Sequence, residues 1–365
     1  MDSACRALVV ERIRRRGPIT VAEFMDLALY APEVGYYARA ARRSGRAGDF
    51  FTSVDTGPVF GALLAERFAA LWRKSGARTC DLVEAGAGNG RLTRDILDAA
   101  SRRDPGFYHA IAAHLVERSA PARAAQRVTL AAHEARLAYS GEEMPGRIDG
   151  IVFANELLDA FPVHLVEMGE AGLLEVYVGL EAGRLVDVTG PLSDPALEDY
   201  FRRAGVTLER GARAEINLAA VDWVADAAAR LRSGFLVLID YGYEAAELYS
   251  AARSQGTLAT YHRHLIDAPA GGAPTAGPAW LADPGSRDLT SHVDVTSVRR
   301  AAERAGLATL SISAQTRFLL DILESSPLVA ELSAPDRLAG RLALKTLLMP
   351  GGLGSTHTAM VFAKR

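Results

Sequence analysis

The stretch Asp81-Leu82-Val83-Glu84-Ala85-Gly86-Ala87-Gly88-Asn89-Gly90 constrains this chain more than any other. An apolar run of strand length meets three glycines at alternate positions, and Arg91-Leu92-Thr93-Arg94 then opens a helical pattern. Glycine lets the backbone turn at the carboxyl end of a strand and pass close to a ligand, as in open, largely parallel sheets whose ligands sit outside the strand ends. A dinucleotide fingerprint requires a glycine after two further residues, where this chain has Arg91. The spacing suits a ligand without a pyrophosphate, and S-adenosyl-L-methionine is the expected one. Its amino-acid end can meet the glycine amides and the Glu84 carboxylate, while its sulfonium needs no phosphate cradle. A tight strand-to-helix turn with no ligand is the competing reading of the same residues.

The remaining pattern supports such a sheet. From residue 79 short apolar runs alternate with helical stretches, predicting an α/β fold with a doubly wound, Rossmann-like sheet of about seven strands. The strands are expected at Cys80 to Glu84, His114 to Glu117, Ile148 to Ala154, Phe235 to Asp240, Leu307 to Ser313 and Thr358 to Phe362, with a seventh around Val128 to Leu130. Helices are expected near 91 to 102, 119 to 126, 156 to 160, 215 to 232, 294 to 305 and 316 to 324. Residues 2 to 16 and 20 to 30 read as two helices around Gly17-Pro18, with Thr20 capping the second and Glu23 three positions on. An irregular segment from Gly35 to Ser53 and a helix from Val59 to Trp72 complete an N-terminal helical cap and active-site loop, residues 1–75, ahead of a sheet domain, residues 76–365. The runs Leu165 to Met168, Leu173 to Leu180 and Leu185 to Val188 predict an antiparallel β insertion at about 165–212. A second insertion is expected at about 243–290, including a Pro/Gly/Ala-rich loop from Ala268 to Pro284 lying over or beside the site.

Candidate site residues fall at the predicted strand ends. Glu117 follows the second strand, where a carboxylate can accept both ribose hydroxyls of a nucleoside; a plain exposed glutamate is the alternative. Asn155-Glu156-Leu157-Leu158-Asp159-Ala160-Phe161-Pro162-Val163-His164 follows a buried-looking strand. Asn155 offers an amide, and a helical turn would put Glu156 and Asp159 on one side, suiting a cationic or amine acceptor. An N-cap pair on a short helix is the plainer explanation. Asp240 ends the next strand and either joins these carboxylates or caps the loop. Asp49 and Thr52, in the cap loop, are expected to close over the donor or to serve a local turn. The donor-binding set is thus Glu84, Gly86, Gly88, Gly90, Glu117, Asn155, Asp49 and Thr52, and the catalytic set Glu156, Asp159 and Asp240. His262 and His264 lack a convincingly spaced third ligand, so no metal is expected. His292 and Asp294 are expected to start the helix at 294.

With these residues placed, the sequence resembles the MidA-like family, whose mitochondrial members are arginine methyltransferases that help assemble respiratory complex I. The resemblance runs from Gly17-Pro18-Ile19, Ala28-Leu29-Tyr30 and Gly35-Tyr36-Tyr37 through Gly48-Asp49-Phe50-Phe51-Thr52, the glycine loop and Asn155 to Val163, to Asp240-Tyr241-Gly242 and Asp288-Leu289-Thr290-Ser291-His292-Val293-Asp294. It implies a class I methyltransferase fold with the last strand antiparallel, S-adenosyl-L-methionine as donor, and a protein arginine as acceptor. The chain departs from the family in two places. The glycine loop commonly reads Leu-Gly-Pro-Gly-Arg-Gly where Ala85-Gly86-Ala87-Gly88-Asn89-Gly90 stands here, and Val54-Asp55 replaces the usual Ala-Pro. Donor binding survives these changes; acceptor identity need not.

Bulk properties bound the partners. With 365 residues, 49% hydrophobic, the chain can bury a large core. A net charge of -3, from 41 basic and 44 acidic residues, lacks the cationic excess of a phosphate-backbone binder, so nucleic acid is not the expected substrate. No apolar run approaches the roughly 20 residues that span a bilayer, so no membrane crossing is expected. Cys5 and Cys80 read as reduced thiols, which suits a cytoplasmic setting, and the composition looks bacterial. Subunit number is open, a homodimer included. The expected reaction is in-line displacement at a sulfonium methyl, in which the protein supplies alignment and a matched electrostatic cleft. An arginine acceptor would need carboxylates to hold its charge, with Glu156 and Asp159 as the clamp. Two other functions stay open: methylation of a small natural-product amine or hydroxyl, and a non-catalytic assembly chaperone that retains the donor pocket.

Overall fold

The alternation of apolar runs and helices folds, in a computed structural model, into an open sheet covered on both faces. The structure describes residues 3–38, 52–262, 265–267, 278–324, 326–328, 331, 337–349, 354 and 356–364. In chain order the strands are β1 (Ile19–Thr20), β2 (Cys80–Ala85), β3 (Ile111–Val116), β4 (Leu137–Gly141), β5 (Ile148–Asn155), β6 (His164–Met168), β7 (Leu173–Glu181), β8 (Arg184–Gly190), β9 (Arg213–Ile216), β10 (Leu231–Tyr243), β11 (Ala259–His262), β12 (Leu265–Asp267), β13 (Asp288–Thr290), β14 (Val293–Asp294), β15 (Ala308–Ala314) and β16 (His357–Lys364).

The central sheet runs β15-β16-β10-β5-β2-β3-β4. Its pairings are parallel from β10 to β4, whereas β16 runs antiparallel to both neighbours, as the class I arrangement requires. Side chains alternate between two cores. Leu82, Ile151, Phe153, Val237, Ile239 and Val361 face one cluster with Phe60, Leu64, Phe68 and Ile96. Val83, Val152, Leu236, Leu238, Met360 and Phe362 face the other with Val224 and Val298. Because both faces are covered, the inner strands read as continuous apolar runs rather than alternating ones.

Three expectations are corrected here. The segment Val128 to Leu130 is not a strand: Pro121 sits in the first turn of a helix over Ala120–Thr129, and Val128 is 80% exposed on its outer side. The seventh strand is instead β4, an edge strand with no fully buried position, whose sequence therefore carries no continuous apolar run. The helix expected at 156 to 160 shrinks to a single 3-10 turn over Leu158–Ala160. Phe161 must adopt an extended backbone before Pro162, which stops any continuation. The boundary at 75 also fails to follow the packing. Helix Pro58–Ser75 lies on the central sheet, whereas helices Ala4–Arg16 and Val21–Tyr30 pack with the antiparallel insertion.

That insertion is a five-stranded sheet, β1-β7-β6-β9 with β8 on β7, and β1 of the cap completes its edge through Ile19 opposite Val178. Thr20 caps the following helix by accepting from the Glu23 backbone N–H at 3.0 Å. The second insertion forms a small sheet, β12-β11-β13. Of the loop expected at 268 to 284, residues 268–277 lie outside the described residues; beyond them Trp280 and Leu281 are buried against Phe24, Met25 and Leu29 rather than left in a loose loop. No helix among the described residues is long and apolar enough to cross a membrane. Cys5 and Cys80 are buried and form no disulfide among the described residues, and the Cys5 thiol donates to the Leu27 carbonyl at 3.6 Å.

Candidate functional site

The glycines at the end of β2 take positive φ for three different reasons. Gly90, at φ +81, starts helix Arg91–Arg103, and a Cβ there would strike Leu130 and Leu115. Gly86, at φ +69, lies against Leu157, whereas a Cβ on Gly88, at φ +52, would meet nothing within 4 Å. The one open position is therefore in the middle of the loop, where close approach by a ligand needs it.

A cleft of about 260 Å³ opens at this carboxyl rim. Ala85, Gly86, Val116, Glu117, Arg118 and Glu142 form one side; Glu156, Leu157, Phe161, Pro162 and Trp223 form the other, with Tyr30 and Tyr37 of the cap above. Glu117 accepts the Gly88 N–H at 2.9 Å and the Ser119 N–H at 2.7 Å. A carboxylate has about four acceptor positions, so two remain for a ribose diol. Glu84 differs from expectation. Its buried carboxylate accepts from the Thr93 N–H at 3.2 Å and from the Thr93 hydroxyl, so it pins the first turn of the helix beneath the loop and does not line the cleft. Burial pushes its carboxyl up to about 8.

The acidic residues meet at the opposite end of the rim. Glu156 has φ +52, a left-handed conformation, so Glu156 and Asp159 do not share a helical face as the spacing suggested. The cause is Asp240, whose Oδ2 accepts the N–H groups of Leu157 and Leu158 at 3.0 and 2.7 Å and draws the segment into a turn. Its Oδ1 accepts the Tyr241 N–H at 2.8 Å, so Asp240 caps the loop. Glu156 Oε1 accepts from Asn155 Nδ2 at 3.2 Å and from the Ser53 backbone N–H at 3.3 Å. Asp159 and Asp288 are both buried, and Asp288 accepts the Tyr37 hydroxyl at 3.0 Å. Burial, then the nearby Asp240, Glu156 and Asp288 carboxylates, raise the Asp159 carboxyl well above its ordinary range. Asp240 is pushed up to about 7, chiefly by burial. Asp159 Oδ1 and Asn155 Oδ1 are buried with no hydrogen-bond partner among the described residues. Such atoms are costly in a folded protein and mark a place where a donor is missing.

Thr52 is bonded locally, its N–H and hydroxyl both reaching Asp55 at 3.0 and 3.1 Å, and Asp49 lies outside the described residues. The neighbouring Ser53 is the cap-loop residue that touches the site. Tyr30, Tyr37, Arg118, Asp288 and Trp223 also join the site without having been singled out from sequence. Tyr30 and Tyr37 stack with centroids 5.3 Å apart, the Arg118 guanidinium lies 4.4 Å over the Tyr30 ring, and the Tyr30 hydroxyl donates to the Ala160 carbonyl at 2.8 Å. Tyr30, Tyr37 and Asp288 lie in segments that carry the family resemblance, which points to those segments without giving these side chains a role; their assembly from cap, strand end and insertion gives them one. Asp294 caps helix Val295–Arg304 through the Ser297 N–H as expected. His292 is half-buried, and desolvation lowers its pKa to about 4. His264 lies outside the described residues, and no group of three or more metal-ligating side chains occurs among the described ones.

The open face of Gly88, the free acceptor positions of Glu117 and the aromatic wall of Phe161 and Trp223 fit an adenosyl ligand with a short amino-acid arm. Comparison with known proteins agrees. Residues 63–313 match the family described as "Putative S-adenosyl-L-methionine-dependent methyltransferase". The chain is 29% identical to Protein arginine methyltransferase NDUFAF7, mitochondrial, of Mus musculus over 349 residues, covering 85% of this chain and 74% of the relative. It is 29% identical to the Drosophila melanogaster homolog, covering 81% and 69%. A Burkholderia thailandensis protein solved with S-adenosyl-homocysteine bound superposes with a TM-score of 0.85 at 30% identity, covering 99% of this chain and 92% of that one.

Proposed function

The chain belongs to this family of S-adenosyl-L-methionine-dependent methyltransferases, and from that premise we propose that it N-methylates an arginine side chain of a protein. The supporting observation is the acidic pocket: buried carboxylates with an unpartnered Asp159 oxygen, beside the cleft that Glu156 lines. A guanidinium is charged at every cellular pH and carries five N–H donors in a fixed fork, so it supplies both the missing charge and the missing donors. The names of the relatives support the same acceptor.

S-adenosyl-L-methionine, when bound, supplies an electrophilic methyl on a sulfonium. Glu117 would hold its ribose and the Gly86 to Gly88 backbone its amino-acid arm. Glu156 and Asp159 bind and orient the guanidinium, and Asp240 fixes the turn that carries both. Phe161, Leu157 and the Tyr30–Tyr37 pair keep water away, so the electrostatic contacts act in a low dielectric. The two buried thiols support a reducing, cytoplasmic setting; the named relatives are mitochondrial.

The test is incubation of the protein with methyl-labelled donor and fractionated lysate, followed by mass spectrometry of any labelled protein band. Methylarginine in such a band supports the proposal. Label confined to the small-molecule fraction would favour a metabolite acceptor, and donor binding without any transfer would favour an assembly chaperone.

A further inference from the structure

Alkylation of a guanidinium nitrogen releases a proton, and it must leave a pocket walled by buried side chains. His357 stands at the far side of Glu156. Its Nε2 lies 3.3 Å from Glu156 Oε1, an ion-pair distance without the alignment of a hydrogen bond. The side chain is 0% exposed, and its ring sits 3.9 Å from that of Tyr241, its partner across β10 and β16. The other ring nitrogen, Nδ1, lies 3.2 Å from Thr356 Oγ1, and Thr356 is exposed. One imidazole thus spans the distance from a carboxylate on the cleft to a hydroxyl at the surface. Contacts of this kind commonly tighten when substrate arrives.

We propose that His357 relays the reaction's proton from Glu156 to solvent by way of Thr356, a role that rests on the arginine reading above. As the nitrogen–carbon bond forms, the carbon–sulfur bond breaks and its electron pair stays on sulfur. The guanidinium nitrogen gives its proton to the Glu156 carboxylate. Glu156 passes it to His357 Nε2, and Nδ1 releases a proton toward Thr356 and water, as a histidine with two differently partnered nitrogens can. Among the described residues, Glu156, Asp240 and the Tyr241 phenol are titratable groups that face His357. His357 is a positioning residue in this scheme, acting through Glu156.

The test compares full-length wild type, His357→Gln and Thr356→Val, using the protein fraction that the wild type labels as acceptor. His357→Gln is expected to lower kcat about tenfold or more at pH 7, with KM for donor and acceptor unchanged and the rate climbing back as pH rises. Thr356→Val, a surface change, should shift the pH profile the same way to a smaller extent and keeps the test decisive if His357→Gln does not fold. An unchanged pH profile in the folded variants, or a raised KM with kcat intact, overturns the relay while leaving the arginine reading in place. Absence of methylarginine with the wild type overturns both.

Discussion

At the glycine rim, Glu117 has a backbone N–H group on each oxygen and Glu84 is held by Thr93, so both carboxylates have partners from the loop and its flanking elements. In the acidic pocket, a few residues along the same sheet edge, Asp159 keeps a buried oxygen without a partner while Glu156, Asp240 and Asp288 crowd it. The rim leaves no buried carboxylate oxygen without a donor among the described residues and keeps two acceptor positions on Glu117 open toward the cleft. The pocket leaves a buried oxygen without a donor, and the proposed arginine acceptor rests on that. One end of the cleft is therefore built to bind by shape and backbone, the other by charge.

The contrast can be broken most sharply at Gly88. Gly88→Leu places a side chain in the one open position of the loop and should weaken donor binding by about 100-fold or more in calorimetry. Its left-handed backbone costs only about 1–2 kcal/mol for a non-glycine residue, so the fold should persist by circular dichroism. Unchanged affinity would remove the donor from this loop. Next in size, Asp159→Asn should reduce kcat toward an arginine acceptor by about 100-fold, as loss of a positioned electrostatic group does. Donor affinity should stay within about twofold and the melting temperature should not fall, since a neutral amide replaces a carboxylate that burial already disfavours. A parallel loss of donor affinity would show that the two ends are not separable.

The smallest effect sharpens the rim itself. Glu84 has its carboxyl raised by burial to about 8, so its favourable contribution is full below its ordinary value of 4.5 and is lost as pH rises through 8. Melting of Glu84→Gln against wild type should therefore move in favour of the variant by a few degrees between pH 4.5 and 8. A difference that stays flat across that window would mean Glu84 is not desolvated as described.

Much of this was legible along the chain. The strand, the three glycines and the helix after them are contiguous from Cys80 to Arg103, and the apolar runs of β2, β5, β10 and β16 follow from burial on both faces. The strand at β4 was missed because none of its positions is fully buried, and Val128 misled because an exposed valine on a helix looks like part of a short apolar run. Glu156 and Asp159 were found as residues, but their geometry was wrong: a sequence spacing of three implies a helix only until Asp240, on a strand more than seventy residues later, captures the N–H groups between them.

By itself the sequence determined the layered α/β sheet, the side-chain-free bend at positions 86 to 90 and the candidate acids at the strand ends, because periodicity, glycine conformation and burial are local properties. Only the tertiary structure decided which acids meet. Asp288, Tyr37, Ser53 and His357 reach the Glu156 region from four separate segments, and the charge they experience depends on distance through a poorly polarisable interior. That distance is set by how the sheet, cap and insertions pack, and no spacing along the chain records it.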